Sequence, residues 1–256
     1  MDLVLVTGAA LFAGLVDSMV GGGGLVLIPA LLSTYPSAPP ATLFGTGKSG
    51  SVWGTAISAL QFQRRVRLRL VVFVPAAGVA LCAAAAGARA VTHVDPQMLR
   101  QALPVVLLVV LVYTVARPDL GRCHAPRHGP RGQTAIACAI GASVGVYDGF
   151  FGPGTGSFLM FLLARCLGYD FLHAAAGAKW LNTATNLAAL GLFAGSGHVW
   201  WKLGALIAVA NVLGSVIGSR LALKHGVSLV RRVFIVVVAL LLLKTGADAL
   251  GFGAGR

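Results

Sequence analysis

Long apolar runs dominate this chain. LVLVTGAALFAGLV (3–16), LVVFVPAAGVALCAAAAGA (70–88), LPVVLLVVLVYTVA (103–116) and VFIVVVALLLL (233–243) are separated by short polar breaks. Inside hydrocarbon every backbone N–H and C=O must be satisfied within the protein, which leaves helices or a closed barrel. Barrel strands alternate polar and apolar residues, whereas these runs are apolar throughout. The fold class expected is therefore an all-α membrane protein, a polytopic helical bundle. Composition agrees: 57% of residues are hydrophobic and 11% charged, against about 25% charged in a soluble domain. The start, MDLVLV, has no basic region ahead of its apolar run, so the first span is expected to begin almost at once rather than to be a cleaved signal peptide.

The 20 Lys and Arg against 7 Asp and Glu give +13, a balance that in a soluble protein would point to nucleic acid. In a membrane protein it reports cytoplasmic loops, and no nucleic-acid partner is inferred. Cys82, Cys123, Cys138 and Cys166 lack CxxC spacing, and three lie in apolar runs, so no disulfide is expected. The histidines show no ligand spacing, and no metal or other cofactor is expected.

Shifted on itself by 131 positions, the chain superposes Asp148 on Asp17, Lys179 on Lys48, Gly145 on Gly14, Gly152 on Gly21 and Gly154 on Gly23. Asp and Lys are scarce here, so their coincidence at one spacing marks two copies of one unit. The copies are read as 1–116 and 134–256, joined by a basic cytoplasmic linker, 117–133, with three prolines, three glycines and four arginines. Each copy divides into five hydrophobic pieces: about 3–20, 25–34, 42–60, 70–88 and 101–116, then 134–151, 156–166, 175–196, 203–221 and 233–250. Basic residues concentrate in the loop holding Arg64, Arg65, Arg67 and Arg69, in the linker, and in the loop holding Arg220, Lys224, Arg231 and Arg232. Their repeat partners are poorer in charge, so each loop and its twin are expected on opposite sides of the membrane. Two inverted-topology repeats follow, with both termini outside. Piece two spans only about 15 Å of helix, half a bilayer; pieces one and two either meet as a hairpin at the midplane or the second extends through its flanks.

The stretch FGTGKSGSVWG (44–54) contains GTGKS, but it is no phosphate-binding P-loop. The first glycine of that motif would be residue 42, which is Thr, and Pro36, Pro39 and Pro40 exclude a central strand before it. On a helix, Lys48, Ser51, Thr55 and Ser58 form one polar stripe. Lys179, Asn182, Thr183 and Asn186 repeat it, with Asn182 over Ser51 and Asn186 over Thr55. Such residues face a bundle interior or water, because an ionised Lys in lipid costs at least about 2.5 kcal/mol.

Between pieces one and two lie DSMVGGGG (17–24) and DGFFGPGTG (148–156). Glycines there end a helix and expose backbone N–H groups, so Gly22, Gly23 and Gly24, with Gly154, Thr155 and Gly156, would form a positive helix end suited to an anion. Close packing through small residues is the alternative. The lysines either bind and move an anion, or pair with Asp17 and Asp148 as fixed salt bridges, or snorkel to an interface; binding and pairing are compatible, since a pair broken by an arriving anion is a gate. Lys244 reads as snorkelling, Asn211 as bonded to a neighbouring helix, and Trp200 and Trp201 beside Lys202 as an interfacial belt.

The segments GLVDSMVGGGGLVLIPALL, KSGSVWGTA, GVYDGFFGPGTGSFLMF and AGAKWLNTATNLAALGLF resemble the sulfite exporter TauE/SafE family, in order and over nearly the whole chain. The resemblance implies a bacterial inner-membrane permease built of two inverted helical repeats that moves sulfite or an organosulfonate outward. Its motif falls on Asp17, Gly21 to Gly24, Pro29 and Lys48, and on Asp148, Gly152, Pro153, Gly154, Lys179, Asn182 and Asn186. From the residues themselves, substrate contact is expected at the two stripes and glycine breaks, with Asp17 or Asp148 carrying a coupling proton. A channel lined by the same stripe is the competing reading. No paired His, nucleophile beside a base, or metal spacing is present, so an enzyme is not expected. The partners expected are a small anionic substrate and the lipid bilayer, with a homo-oligomer left open.

Overall fold

The structure, a computed structural model, describes residues 2–95, 97–98, 105, 108–109 and 124–225. The fifth and tenth expected pieces, 101–116 and 233–250, lie largely or wholly outside the described residues, as do Lys244, Arg231, Arg232 and the first part of the linker. Among the described residues there are eight helices and no strand: α1 (Asp2–Val20), α2 (Gly23–Thr34), α3 (Pro40–Gln63), α4 (Leu70–Val91), α5 (Pro130–Phe150), α6 (Thr155–Leu167), α7 (Phe171–Gly195) and α8 (Trp201–His225). The chain is an all-α polytopic membrane protein. The helices α1, α4 and α8 are each long and apolar enough to cross a bilayer. Leu3, Val4, Val71, Val74, Val209 and Leu213 stand exposed on these three, as an outer face turned to hydrocarbon requires.

Helix starts repeat. Pro40 and Phe171 open α3 and α7 131 positions apart, and Leu70 and Trp201 open α4 and α8 at the same spacing. Local chemistry explains these starts. Proline occupies the first turn of α3, where its missing N–H has no intrahelical partner to lose. The side chain of Asp170 accepts the His173 N–H to cap α7.

Packing follows the same exchange. Helix α1 lies on α8 and α5 on α4, while α3 lies on α7 and on α8, and α7 on α4. The exchange holds to the residue: a methyl group at Gly14 would land on the Asn211 carbonyl, and one at Gly145 would strike the carbonyl of Ala80, the residue 131 positions before Asn211. Likewise Gly218 meets Leu15 and Gly87 meets Val146. Small residues let these backbones approach closely, which is how helices associate where burial from water gives no drive. Asn211 adds a hydrogen bond to the Ala10 carbonyl of α1 at 3.3 Å, the interhelical role expected of it.

The short helices sit where the glycine runs predicted breaks. Helices α2 and α6, of 12 and 13 residues, span only about 18–20 Å. Gly21 at φ +80° and Gly152 at φ +88° turn the chain out of α1 and α5, a conformation other residues reach only at a cost. The breaks touch each other: Ser157 at the start of α6 donates through its Oγ to the Val20 carbonyl at 2.7 Å and through its N–H to the Gly21 carbonyl at 3.2 Å. The carbonyls left open at the end of α1 are thus closed by the second half of the chain.

Gly14→Ala and Gly145→Ala should each lower stability by about 1–3 kcal/mol, because the backbone opposite cannot yield. Gly8→Ala, which meets nothing within 4 Å, should leave it unchanged or slightly raised. Thermal unfolding of detergent-solubilised protein by intrinsic fluorescence measures the difference.

Candidate functional site

Helices α3 and α7 run through the middle of the bundle, and α3 is buried without a gap from Pro40 to Gly50. Lys48 and Lys179 therefore lie inside protein, on the third turn of their helices. Both aspartates end up beside them. Asp17 is in the last turn of α1 and Asp148 in the last turn of α5, each just before its break.

The lysines reach across the molecule to the acid of the other half. Lys48 Nζ donates to Asp148 Oδ1 at 2.6 Å and to Asn186 Oδ1 at 2.7 Å, and the side chains of Lys48 and Asp148 are 11% and 1% exposed. Lys179, on α7, donates instead to the main-chain carbonyl of Asp17. A cation at a helix C-terminus faces the negative end of its dipole, so Lys179 caps the interrupted end of α1.

Each carboxylate also faces the start of a short helix. Asp17 Oδ1 accepts the Gly23 N–H at 3.3 Å, and Asp148 Oδ1 accepts the Thr155 hydroxyl at 2.7 Å. The start of α2 thus already holds the acid of the preceding helix on a backbone N–H, while at the start of α6 the acid meets a side-chain hydroxyl. The two clusters meet: Asn186 Nδ2 donates to Thr55 Oγ1 at 3.4 Å, and Thr55 Oγ1, which donates to the Ser51 carbonyl at 2.7 Å, lies 3.4 Å from Asp17 Oδ2. Thr55 and Asn186 occupy equivalent places in the two copies, so the chain of polar contacts passes from one half to the other where α3 crosses α7.

A cavity opens beside this network, with about 470 Å³ of empty space, part of it open to solvent. From the first half it is lined by Asp17, Gly24, Lys48, Ser51 and Thr55, and from the second by Asp148, Thr155, Gly156, Asn182 and Asn186. Gly22, Gly23, Gly154, Lys179 and Thr183 do not line it. Thr183 turns its hydroxyl back to the Lys179 carbonyl at 2.7 Å, and Gly23 packs against Ala13 and Asp17. Phe44 and Phe151 also line the cavity, their ring centroids 6.2 Å apart. Phe44 precedes Lys48 by one helical turn, a spacing that would have placed it on the same face from sequence alone.

The two halves are not in the same state. Asp148 Oδ2 is buried and has no hydrogen-bond partner among the described residues, whereas Asp17 Oδ1 accepts the Gly23 N–H and Oδ2 lies 3.4 Å from the Thr55 hydroxyl oxygen. Lys48 faces the cavity; Lys179, 2% exposed, is withdrawn behind it.

Residues 6–245 match the family described as sulfite exporter TauE/SafE. The probable membrane transporter protein ORF9 of a Sinorhizobium species is 33% identical over 240 residues, covering 94% of this chain and 90% of that protein. The probable membrane transporter protein YfcA of Escherichia coli K12 is 34% identical over 242 residues, covering 94% and 88%. A probable membrane transporter protein of Haemophilus influenzae is 32% identical over 227 residues, covering 88% and 87%. No solved structure matches the chain. A helical bundle with a polar cavity at paired helix breaks, matched to this family over almost its whole length, is a membrane transporter and not an enzyme: the chain belongs to the sulfite exporter TauE/SafE family.

Proposed function

We propose that the protein is a secondary transporter that exports a small oxyanion, sulfite or an organosulfonate, across the bacterial inner membrane, with proton coupling and alternating access. The observation that carries this reading is the buried Lys48–Asp148 contact at 2.6 Å in the wall of the cavity. An arriving oxyanion competes with Asp148 for the Lys48 ammonium. Once released, a carboxylate with one oxygen already unpartnered is costly to keep ionised in a buried site, and binding a proton removes that cost. Anion and proton then load together. A dianion carrying one proton crosses with net charge −1, and an inside-negative potential drives it outward with about 2.3 kcal/mol per 100 mV.

Alternation follows from the inequality of the halves. Lys48 bonds an aspartate side chain while Lys179 bonds an aspartate main-chain carbonyl. In the opposite-facing state the two exchange: Lys179 turns to the Asp17 carboxylate and the cavity, and Lys48 caps α5. Positive-inside topology supports the accompanying orientation, with the two copies inverted, the termini external and the linker cytoplasmic. The phenyl rings of Phe44 and Phe151 would admit a small organic group beside the charged one, which suits an organosulfonate as well as sulfite.

In proteoliposomes, Lys48→Gln should reduce sulfite or sulfonate flux by about tenfold or more, the loss of a charge-assisted contact in a dry site. Flux without saturation, or unchanged by the substitution, would remove Lys48 from the mechanism. Lys48→Gln and Lys179→Gln should weaken apparent affinity from opposite faces, a difference that flux into and out of oriented vesicles resolves. Asp148→Asn should abolish the proton movement that accompanies anion flux, followed with an entrapped pH dye. If coupling persists in that variant but fails in Asp17→Asn, the assignment of the proton to Asp148 is wrong.

A further inference from the structure

A second cavity lies away from the first, at the other end of α6. About 300 Å³ of empty space, part of it open to solvent, is enclosed by the loop between α3 and α4, the starts of α5 and α7, and the segment 124–129. Its lining includes Arg67, Arg69, His124, His173, Tyr169 and Gln133, and no carboxylate. The floor is built and buried: Tyr169 and Gln133 are 4% and 1% exposed, and the Tyr169 hydroxyl donates to Gln133 Oε1 at 2.7 Å. The rim is exposed and basic, and among the described residues neither Arg67 nor Arg69 has a salt bridge.

The wall is held in place by backbone and side-chain bonds. Ala125 N–H donates to the Gly168 carbonyl at 2.9 Å and Arg127 N–H to the Leu167 carbonyl at 3.2 Å, which straps the segment over the last turn of α6. Gln133 Nε2 closes the other side on the His128 carbonyl at 2.6 Å. Asp170 stands behind His173, taking its N–H and its Nδ1 on one oxygen, each at 2.8 Å, which leaves Nε2 as the free ring nitrogen. His124 stacks on His173 with ring centroids 3.9 Å apart.

We propose that this cavity is an oxyanion site, distinct from the transport cavity, that takes a phosphate-type group, either free phosphate or the headgroup of an anionic lipid. Two guanidinium groups and two imidazoles converge on one space, with a phenol and an amide beneath, and planar guanidinium forks suit a tetrahedral oxyanion. Burial, the neighbouring His173 and Arg69 together hold His124 below its ordinary value of 6.5 against the pull of Asp170. Ligand atoms of His124, Asp170 and His173 also lie within 4.8 Å of one another, a grouping that a divalent cation could use. Two facing arginines oppose a cation there, and the better-placed Asp170 oxygen is already taken by His173. Helix α6 joins the two cavities: Thr155 at one end faces Asp148, and Leu167 at the other end is strapped beside the oxyanion site.

The test uses the full chain in neutral detergent, titrated with inorganic phosphate by calorimetry, and in bilayers containing phosphatidylglycerol, with retained lipid read by native mass spectrometry. Arg67→Gln with Arg69→Gln should weaken phosphate binding by about tenfold or more, or abolish lipid retention, with the melting temperature unchanged because both side chains are exposed. Lys48→Gln should leave this binding intact while it impairs transport, which separates the site from the proposed transport mechanism. Phosphate binding alone identifies a free oxyanion; lipid retention alone identifies a headgroup. The proposal is overturned if neither ligand binds, or if binding survives loss of both arginines. It is equally overturned if zinc binds in the absence of any anion, is lost with His173→Gln, and is indifferent to the arginine pair.

Discussion

Charges inside a bilayer must be neutralised within the protein. Two lysines and two aspartates at the depth of the helix breaks satisfy that only as a set, since an isolated ionised side chain there costs several kcal/mol. The structure meets the constraint across its two halves, with Lys48 of α3 on Asp148 of α5 and Lys179 of α7 on the end of α1. Neither half can neutralise itself in this arrangement, so the pairing also decides that α3 and α7 lie together at the centre. The apolar helices α1, α4 and α8 then take the outside, where their exposed Leu and Val residues need no partner.

Helix interruption is the second consequence. A break inside hydrocarbon strands carbonyls at one end and N–H groups at the next. Here Ser157 and Lys179 close the carbonyls of α1, while Asp17 and Asp148 face the starts of α2 and α6. An anion binding at the start of α2 would have to displace a carboxylate rather than fill an empty cradle. In the proposed mechanism that competition would tie anion binding to the protonation of an acid.

Much of this was legible in the residues. Apolar runs fixed the class, and a spacing of 131 between scarce charges pointed to the repeated helix starts and the twin breaks; which helix packs on which was not read from it. Periodicity put Lys48, Ser51 and Thr55 on one face, and the cavity confirms that face. What could not be read was partner choice at atomic range. Lys48 and Lys179 hold equivalent positions in the two copies, yet one meets a side chain and the other a main-chain carbonyl, a difference of a few ångströms that the spacing does not encode. Thr183 sits one helical turn from Lys179 and looks like part of the stripe, but its hydroxyl is consumed by its own helix. The histidines were dismissed for lack of ligand spacing. His124 and His173 stack because a loop and a helix start converge, a proximity with no trace in local sequence.

The inequality of the halves is where repeat and function meet. Two copies of one sequence unit packed by an exact exchange would place Lys48 and Lys179 in identical surroundings. They are not identical, although Gly14 with Asn211 and Gly145 with Ala80 show that the scaffold keeps the exchange to the residue. The departure is therefore confined to the break region, where contacts are made by long side chains and by a carboxylate with an unpartnered oxygen. Side chains differ between the copies at this point: Asn182 and Asn186 stand where the first copy has Ser51 and Thr55, and Thr155 stands where it has Gly24, so the hydroxyl that meets Asp148 has no counterpart beside Asp17. A transporter needs two states separated by no more than its ligand can shift, and in the proposed mechanism the arrangement with Lys48 and Lys179 exchanged would be the second of them.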